Sequence, residues 1–170
     1  MNQQIRTRRP FVALWLLLST TGTALAADKA YMTQVSELLG IVAAPTYLRD
    51  ACSRRVPGIR DALRAQHAAW RQQHARLLAA IDVQLRRADA RTRRQHSPFT
   101  LADLDRAGAR MMADRLDLLT PAESREACGK FGEFLREQDE TMQATVPARL
   151  AALEAADREL AASEAAPTGK

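Results

Sequence analysis

From Ile59 to Leu85 one pattern governs the chain: Ile59, Leu63, His67, Trp70, His74, Leu77, Ile81 and Leu85 recur every three or four residues. That spacing follows the 3.6-residue period of an amphipathic helix. A half-buried strand does not use it, because alternate strand residues point to opposite faces. The period returns in Tyr31, Val35, Leu38, Leu39 and Val42, and again in Ala127, Phe131, Phe134, Leu135 and Met142. No stretch alternates apolar with polar residues, and no Asn-Gly or Asp-Gly pair offers a hairpin turn. Abundant Ala, Leu, Arg and Glu, with few β-branched and aromatic residues, favour helix throughout. The expectation is an all-α fold, an up-and-down bundle of four to five helices.

Prolines and capping residues divide that bundle. The first helix is expected to end before Pro45, since the residue preceding a proline disfavours helical geometry. Pro45 to Gly58 then forms a connection with a short helical turn around Tyr47–Ala51. A long second helix carries the Ile59–Leu85 stripe, frays over Arg91–Gln95 and stops before Pro98. Thr100, with Asp103 three residues on, caps a third helix whose apolar side is Leu101, Leu104, Gly108, Met111 and Leu118. Thr120-Pro121-Ala122-Glu123 is a fuller start signal, with an N-cap, a first-turn proline and a capping-box glutamate. In the fourth helix Pro147 is expected to kink or interrupt the run, before a last segment with Leu150, Leu153 and Leu160. An exposed apolar stripe from Val146 to Leu160 would favour partner binding. Residues 167–170 read as a disordered tail.

The first 26 residues have a separate logic. Arg6, Arg8 and Arg9 form a basic start, Phe11–Leu18 is unbroken apolar sequence, and Ala24-Leu25-Ala26 has the small-x-small pattern of a cleavage site. Eight apolar residues fall well short of the ~20 that a membrane-spanning helix needs. The segment therefore reads as a secretory signal peptide, cut between Ala26 and Ala27, rather than an anchor. The first cysteine, Cys52, lies too far beyond that point for a lipid anchor. The implied product is one helical-bundle domain over residues 27–166, exported to the periplasm, with no stable membrane insertion after cleavage.

Cleavage changes the charge balance. The full chain carries 25 basic and 20 acidic side chains; losing three arginines leaves 22 − 20 = +2. The remainder is uneven. Arg49–Arg94 holds twelve arginines against Asp50, Asp61, Asp82 and Asp89, a net of +8, while Gln95–Lys170 has nine basic and fourteen acidic side chains, a net of −5. A basic face for an anionic partner such as nucleic acid, a heparin-like polymer or phospholipid head groups is one reading. A basic helix beside an acidic one is the simpler reading, because basic residues are not interleaved with aromatics as in nucleic-acid binders. No nucleic-acid partner is expected.

Cys52 and Cys128 are the only cysteines, and export places them in an oxidising compartment. In alternating helices, the second and fourth begin at the same end of the bundle. Cys52 lies just before one and Cys128 about two turns into the other, so a structural disulfide is expected. A redox pair or metal thiolates would call for CxxC spacing, which is absent. His67 and His74 lie on the inward stripe with Trp70 between them, roughly 10 Å apart along the axis. That separation is too large for one metal to take both. Each is a candidate ligand for metal or haem if Met32, Met111, Met112 or Met142 joins it. The competing reading is hydrogen-bonded core histidines among core-filling methionines, and no cofactor is assigned.

Catalytic signatures are missing: no phosphate-cradling glycine loop, no GxSxG and no HExxH occur. Asp139 and Glu140, adjacent on a helix, diverge and read as a solvated face.

The Cys52-x4-Pro57 element, the helix bearing Trp70 and the later Cys128 resemble small uncharacterised exported helical proteins of Gram-negative bacteria. That resemblance covers about half of the mature chain and implies a disulfide-tied helical domain. Leu119-Thr120-Pro121-Ala122-Glu123 is similar to the LTxxQ element of periplasmic Spy-like chaperones. Glu123 replaces the glutamine and a single copy stands where two are usual, so no function carries over. The resulting expectation is a non-enzymatic periplasmic protein that binds another envelope or secreted protein as accessory, inhibitor or chaperone-like factor. A metal- or haem-binding bundle using His67 or His74, and an enzyme, are the alternatives.

Overall fold

Residues spaced by seven organise the packing. Tyr31, Leu38, Pro45 and Cys52 are all buried along one helix, and Phe131, Leu135, Met142, Val146, Leu153 and Leu160 form the corresponding seam of another. The computed structural model describes residues 12–94 and 100–165, and among them regular structure is helical. There are six α-helices: α1 (Val12–Arg55), α2 (Arg60–Gln73), α3 (Ala75–Arg94), α4 (Leu101–Asp117), α5 (Pro121–Gly129) and α6 (Phe131–Ala165), with a 3₁₀ turn at Pro57–Ile59.

Six exceeds the four to five expected, because two expected rods are each interrupted at one residue. His74 leaves helical geometry (φ −100°, ψ 14°), yet its N–H still donates to Trp70 O and its carbonyl accepts from Leu78 N. Lys130 (φ −83°, ψ 9°) interrupts the second rod between Gly129 and Gly132, in a run weakened by two poor helix formers. Its N–H donates to Glu126 O and its carbonyl accepts from Phe134 N.

Cross-helix pairs fix the directions. Thr46 and Arg49 meet His67, while Arg91 lies over the Tyr31 ring, so α2–α3 runs antiparallel to α1. Tyr47 meets Asp105 and Arg55 reaches Asp117 and the Leu119 carbonyl, so α4 runs parallel to α1. Cys52 bonds to Cys128, and Arg149 reaches back to Gln34 and Glu37, so α5–α6 returns antiparallel. Helix α1 is the common element, packing most extensively against α6 and α4. Helix α4 lies along α1, touches α3 only slightly and makes no substantial contact with α6.

Three sequence expectations are corrected, and one condition for partner binding is not met. Helix α1 continues through Pro45 to Arg55, so Pro45–Gly58 is not a connection. An interior proline costs ~3 kcal/mol, but Pro45 is itself buried in the seam between Leu38 and Cys52, and that packing holds the helix across it. Helix α6 likewise passes Pro147 unbroken, between buried Val146 and Leu153. Arg91–Arg94 does not fray. Arg91 is buried over the Tyr31 ring, 5.6 Å from its centroid, and 3.8 Å from Asp157; Thr92 is buried beside it. Finally, Val146, Leu153 and Leu160 are core residues, so the Val146–Leu160 stripe offers no exposed face.

Both capping boxes form as read. Thr100 accepts from Asp103 N while Asp103 accepts from Thr100 N, and Thr120 and Glu123 make the same exchange. The basic α2–α3 rod lies beside acidic α6, joined by His74–Asp139, Gln84–Glu154 and Arg91–Asp157. Helix α1 passes straight through Ala26 and Ala27. Residues 1–11 of the expected signal peptide, Gln95 and Pro98 at the expected end of the second helix, and the 167–170 tail lie outside the described residues. Among the described residues no helix is long and apolar enough to cross a membrane.

The Cys52–Cys128 bond joins Cα atoms 5.5 Å apart across a separation of 76 residues. It pins the α1 C-terminus to α5. The loop-entropy relation gives about 4–5 kcal/mol for a closure of that length. A Cys52→Ala/Cys128→Ala double variant should lose stability of this order in urea unfolding, with its helical circular dichroism retained at low urea. An unchanged midpoint would refute a structural role for the bridge.

Candidate functional site

The histidine pair sits where α2 meets α1 and α6. His67 is 3% exposed, with Nε2 3.2 Å from Thr46 Oγ1 and Nδ1 2.8 Å from Arg49 Nη1. A guanidinium only donates, so Nδ1 accepts and the Nε2–H donates to the Thr46 hydroxyl. Arg49 is held in turn by Asp50. Burial, and after it the Arg49 charge, pushes the His67 pKa down to about 4. Both nitrogens are thereby committed, leaving no lone pair for a metal.

His74 Nε2 lies 2.6 Å from Asp139 Oδ1, and Gln73 reaches the other carboxylate oxygen at 3.5 Å. Trp70 bridges the two imidazoles, stacked 6.1 Å from His67 and tilted 5.2 Å from His74. Among the described residues no group of three or more His, Cys, Asp or Glu could hold a metal ion. The methionines do not gather at this seam as soft ligands either. Met142 is buried in the core, Met32 and Met112 pack partly buried at its edge, and Met111 points outward. The seam is thus a packed polar core. Asp139, read from sequence as a solvated carboxylate, is instead the partner of His74, a pairing 65 residues apart that no local spacing reveals.

The open surface lies on α4. Leu104, Met111 and Leu118 are 37%, 54% and 86% exposed. Seven-residue spacing puts them on one side of the helix, and Leu118 continues the helical turn by donating to Asp114 O. The apolar side expected from the sequence comprises Leu101, Leu104, Gly108, Met111 and Leu118. The structure divides them: Leu101 and Leu116 are buried, with Met112 packed against the core, and Leu104, Met111 and Leu118 face away.

Gly108 explains the division. A Cβ built on it would stand 2.7 Å from Tyr47 Cε2, so the absent side chain lets the Tyr47 ring close against the α4 backbone. The Tyr47 hydroxyl donates to Asp105 at 2.5 Å and fixes the contact. With Tyr47 filling the Gly108 position, α4 turns its Leu101–Leu116 side to α1 and leaves the Leu104–Met111–Leu118 side uncovered. Beside it runs an apolar cleft of ≈ 270 Å³ lined by Leu39, Gly40, Tyr47, Leu104, Gly108 and Met111. An adjoining cleft of ≈ 300 Å³, floored by Leu39, Leu85 and Leu101, carries Asp82, Arg86, Asp89 and Asp105 at its rim.

Two measurements follow from these geometries. Because the folded His67 pKa of about 4 lies below the unfolded value near 6.5, the native state holds fewer protons, and its stability should fall as pH drops from about 6.5 toward 4. The loss should approach 2–3 kcal/mol on the order-of-magnitude scale of that shift. His67→Gln should flatten this part of the urea-midpoint profile; an equally steep variant would remove His67 as the cause. Gly108→Ala should displace the Tyr47 ring and break its hydrogen bond to Asp105. Set against the ~1 kcal/mol that alanine gains over glycine in a helix, the net cost should be about 1 kcal/mol, measurable as a lower thermal midpoint.

Comparisons with protein-family models, with curated proteins and with solved structures found no match to this chain.

Proposed function

We propose that residues 27–166 form an exported, periplasmic and non-enzymatic helical protein that binds another envelope or secreted protein through the open face of α4. The observation that carries this reading is the exposed Leu104–Met111–Leu118 stripe beside an apolar cleft. Large apolar side chains scattered singly on a surface need no explanation, but three in register along one helix, flanked by a groove, have the form of an interaction site. A partner helix laid along α4 would meet apolar anchors at seven-residue intervals, the pattern of helix-in-groove recognition. Export rests on Arg6–Arg9, Phe11–Leu18 and the Ala24–Ala26 site, and the disulfide suits an oxidising compartment.

The test places a photo-crosslinking residue at Met111 in the exported protein, with Gln143, exposed on α6, as a control position. Irradiation of intact envelopes should give a discrete protein adduct from position 111 and none from 143. Met111→Glu should reduce capture of the same partner about tenfold, the cost of losing one well-buried anchor. Adducts at neither position, or at both alike, would end the proposal. The exported protein's intact mass should begin at Ala27 and be two hydrogens below the reduced form.

A further inference from the structure

We infer that a second copy of this chain occupies the α4 face when no other protein does, pairing α4 with α4 antiparallel about a two-fold axis at Met111. The inference rests on the reading of this face as an interaction surface and names its occupant.

The stripe is its own complement. Leu104 and Leu118 lie seven residues to either side of Met111. An antiparallel pair centred there sets Leu104 of each copy against Leu118 of the other and Met111 against itself. Ala107, exposed beside the stripe, presents only a methyl group and lets the two helices approach.

Charges choose the direction. Several other charged side chains of α4 are engaged within the chain: Asp103 with Arg106 and Thr100, Asp105 with Tyr47, Asp117 with Arg55. Arg110 and Asp114 are exposed on the outer side of the stripe, four residues apart, and among the ion pairs of the described residues none joins them. A basic residue four positions before an acidic one is the weaker orientation against the helix dipole. In an antiparallel pair centred on Met111, Arg110 of each copy comes within about one turn of Asp114 of the other, giving two symmetric opposite-charge contacts. In a parallel pair the two-fold axis runs along the helices and puts the Arg110–Asp114 flanks of the two copies on opposite sides of the seam, so neither contact forms. The opposite-charge contacts are thus available to the antiparallel arrangement and not to the parallel one.

Openness on both sides permits it. Helix α4 packs along α1, touches α3 slightly and lacks substantial contact with α6, so among the described residues no element covers the stripe. One helix face per copy is a small interface, at the weak end near 1,000 Å², and self-association is expected in the micromolar range.

Sedimentation equilibrium of the mature, disulfide-intact protein tests this over about 1–200 µM, bracketing that range. Monomer at low and dimer at high concentration is the expected result. Met111→Glu should remain monomeric throughout, and at about 1 µM, where the wild-type chain is also monomeric, the two should share one thermal midpoint because Met111 lies outside the core. Arg110→Asp and Asp114→Arg should each weaken dimerisation about tenfold, and combining the two should restore it. A monomer across the whole range would overturn the inference, as would a dimer indifferent to Met111→Glu or a double reversal that fails to rescue. If the protein stays monomeric while position 111 crosslinks a different envelope protein, self-pairing is overturned and the interaction-surface reading survives.

Discussion

The seam of Tyr31, Leu38, Pro45 and Cys52 along α1 is the contact on which the other helices depend. Each of these side chains is buried, and α6 supplies the facing row from Phe131 to Leu160. Because α1 runs unbroken past Pro45 and carries this seam with it, it extends far enough to receive α2–α3, α4 and α5 as well. Ending α1 before Pro45, as the sequence first suggests, would leave Cys52 on a loop. The helix places it instead one seam position beyond Pro45, directly beside Cys128. Burial of apolar area outweighs the proline's missing hydrogen bond, and the disulfide then closes the end that burial has aligned.

Polar groups are arranged around this apolar axis in the same economical way. The arginine-rich α2–α3 rod and the acidic α6 rod have opposite charge, and they lie side by side. Buried or partly buried members of the two are matched: His74 with Asp139, Gln84 with Glu154, Arg91 with Asp157. A buried charge without a partner is costly, which explains why Arg91 has both a carboxylate and an aromatic face against it. His67 is handled in reverse. Buried, and with a cation, Arg49, for a neighbour, it stays neutral and spends its two nitrogens on Arg49 and Thr46.

Features that depend on period and local chemistry were legible in the sequence, and features that depend on long-range packing were not. Both capping boxes could be read because Thr100–Asp103 and Thr120–Glu123 are local exchanges within four residues. The disulfide could be read because only two cysteines exist and alternating helices bring their neighbourhoods together. Helix breaks at Pro45 and Pro147 were misplaced because the cost of a helical proline is local while the burial that offsets it comes from another helix. The pairing of Asp139 with His74 was invisible for the same reason. Most instructive is α4, whose apolar residues form one side in the sequence pattern and are divided in the fold. Period alone does not say which part of a broad apolar arc meets the core, and here the decision belongs to Tyr47 filling the space of a missing side chain at Gly108.

That decision links packing to function. A helix in a closed four-rod bundle touches two neighbours and buries its whole apolar arc. Helix α4 has one extensive neighbour, α1, and its angle about its own axis is set by the Tyr47–Gly108 contact and the Tyr47–Asp105 hydrogen bond. The apolar arc is therefore shared, with Leu101, Met112 and Leu116 serving the fold while Leu104, Met111 and Leu118 stay exposed. Among the described residues no element covers that side, and the fold fixes its chemistry in advance: apolar side chains every seven residues, with Arg110 and Asp114 beside them.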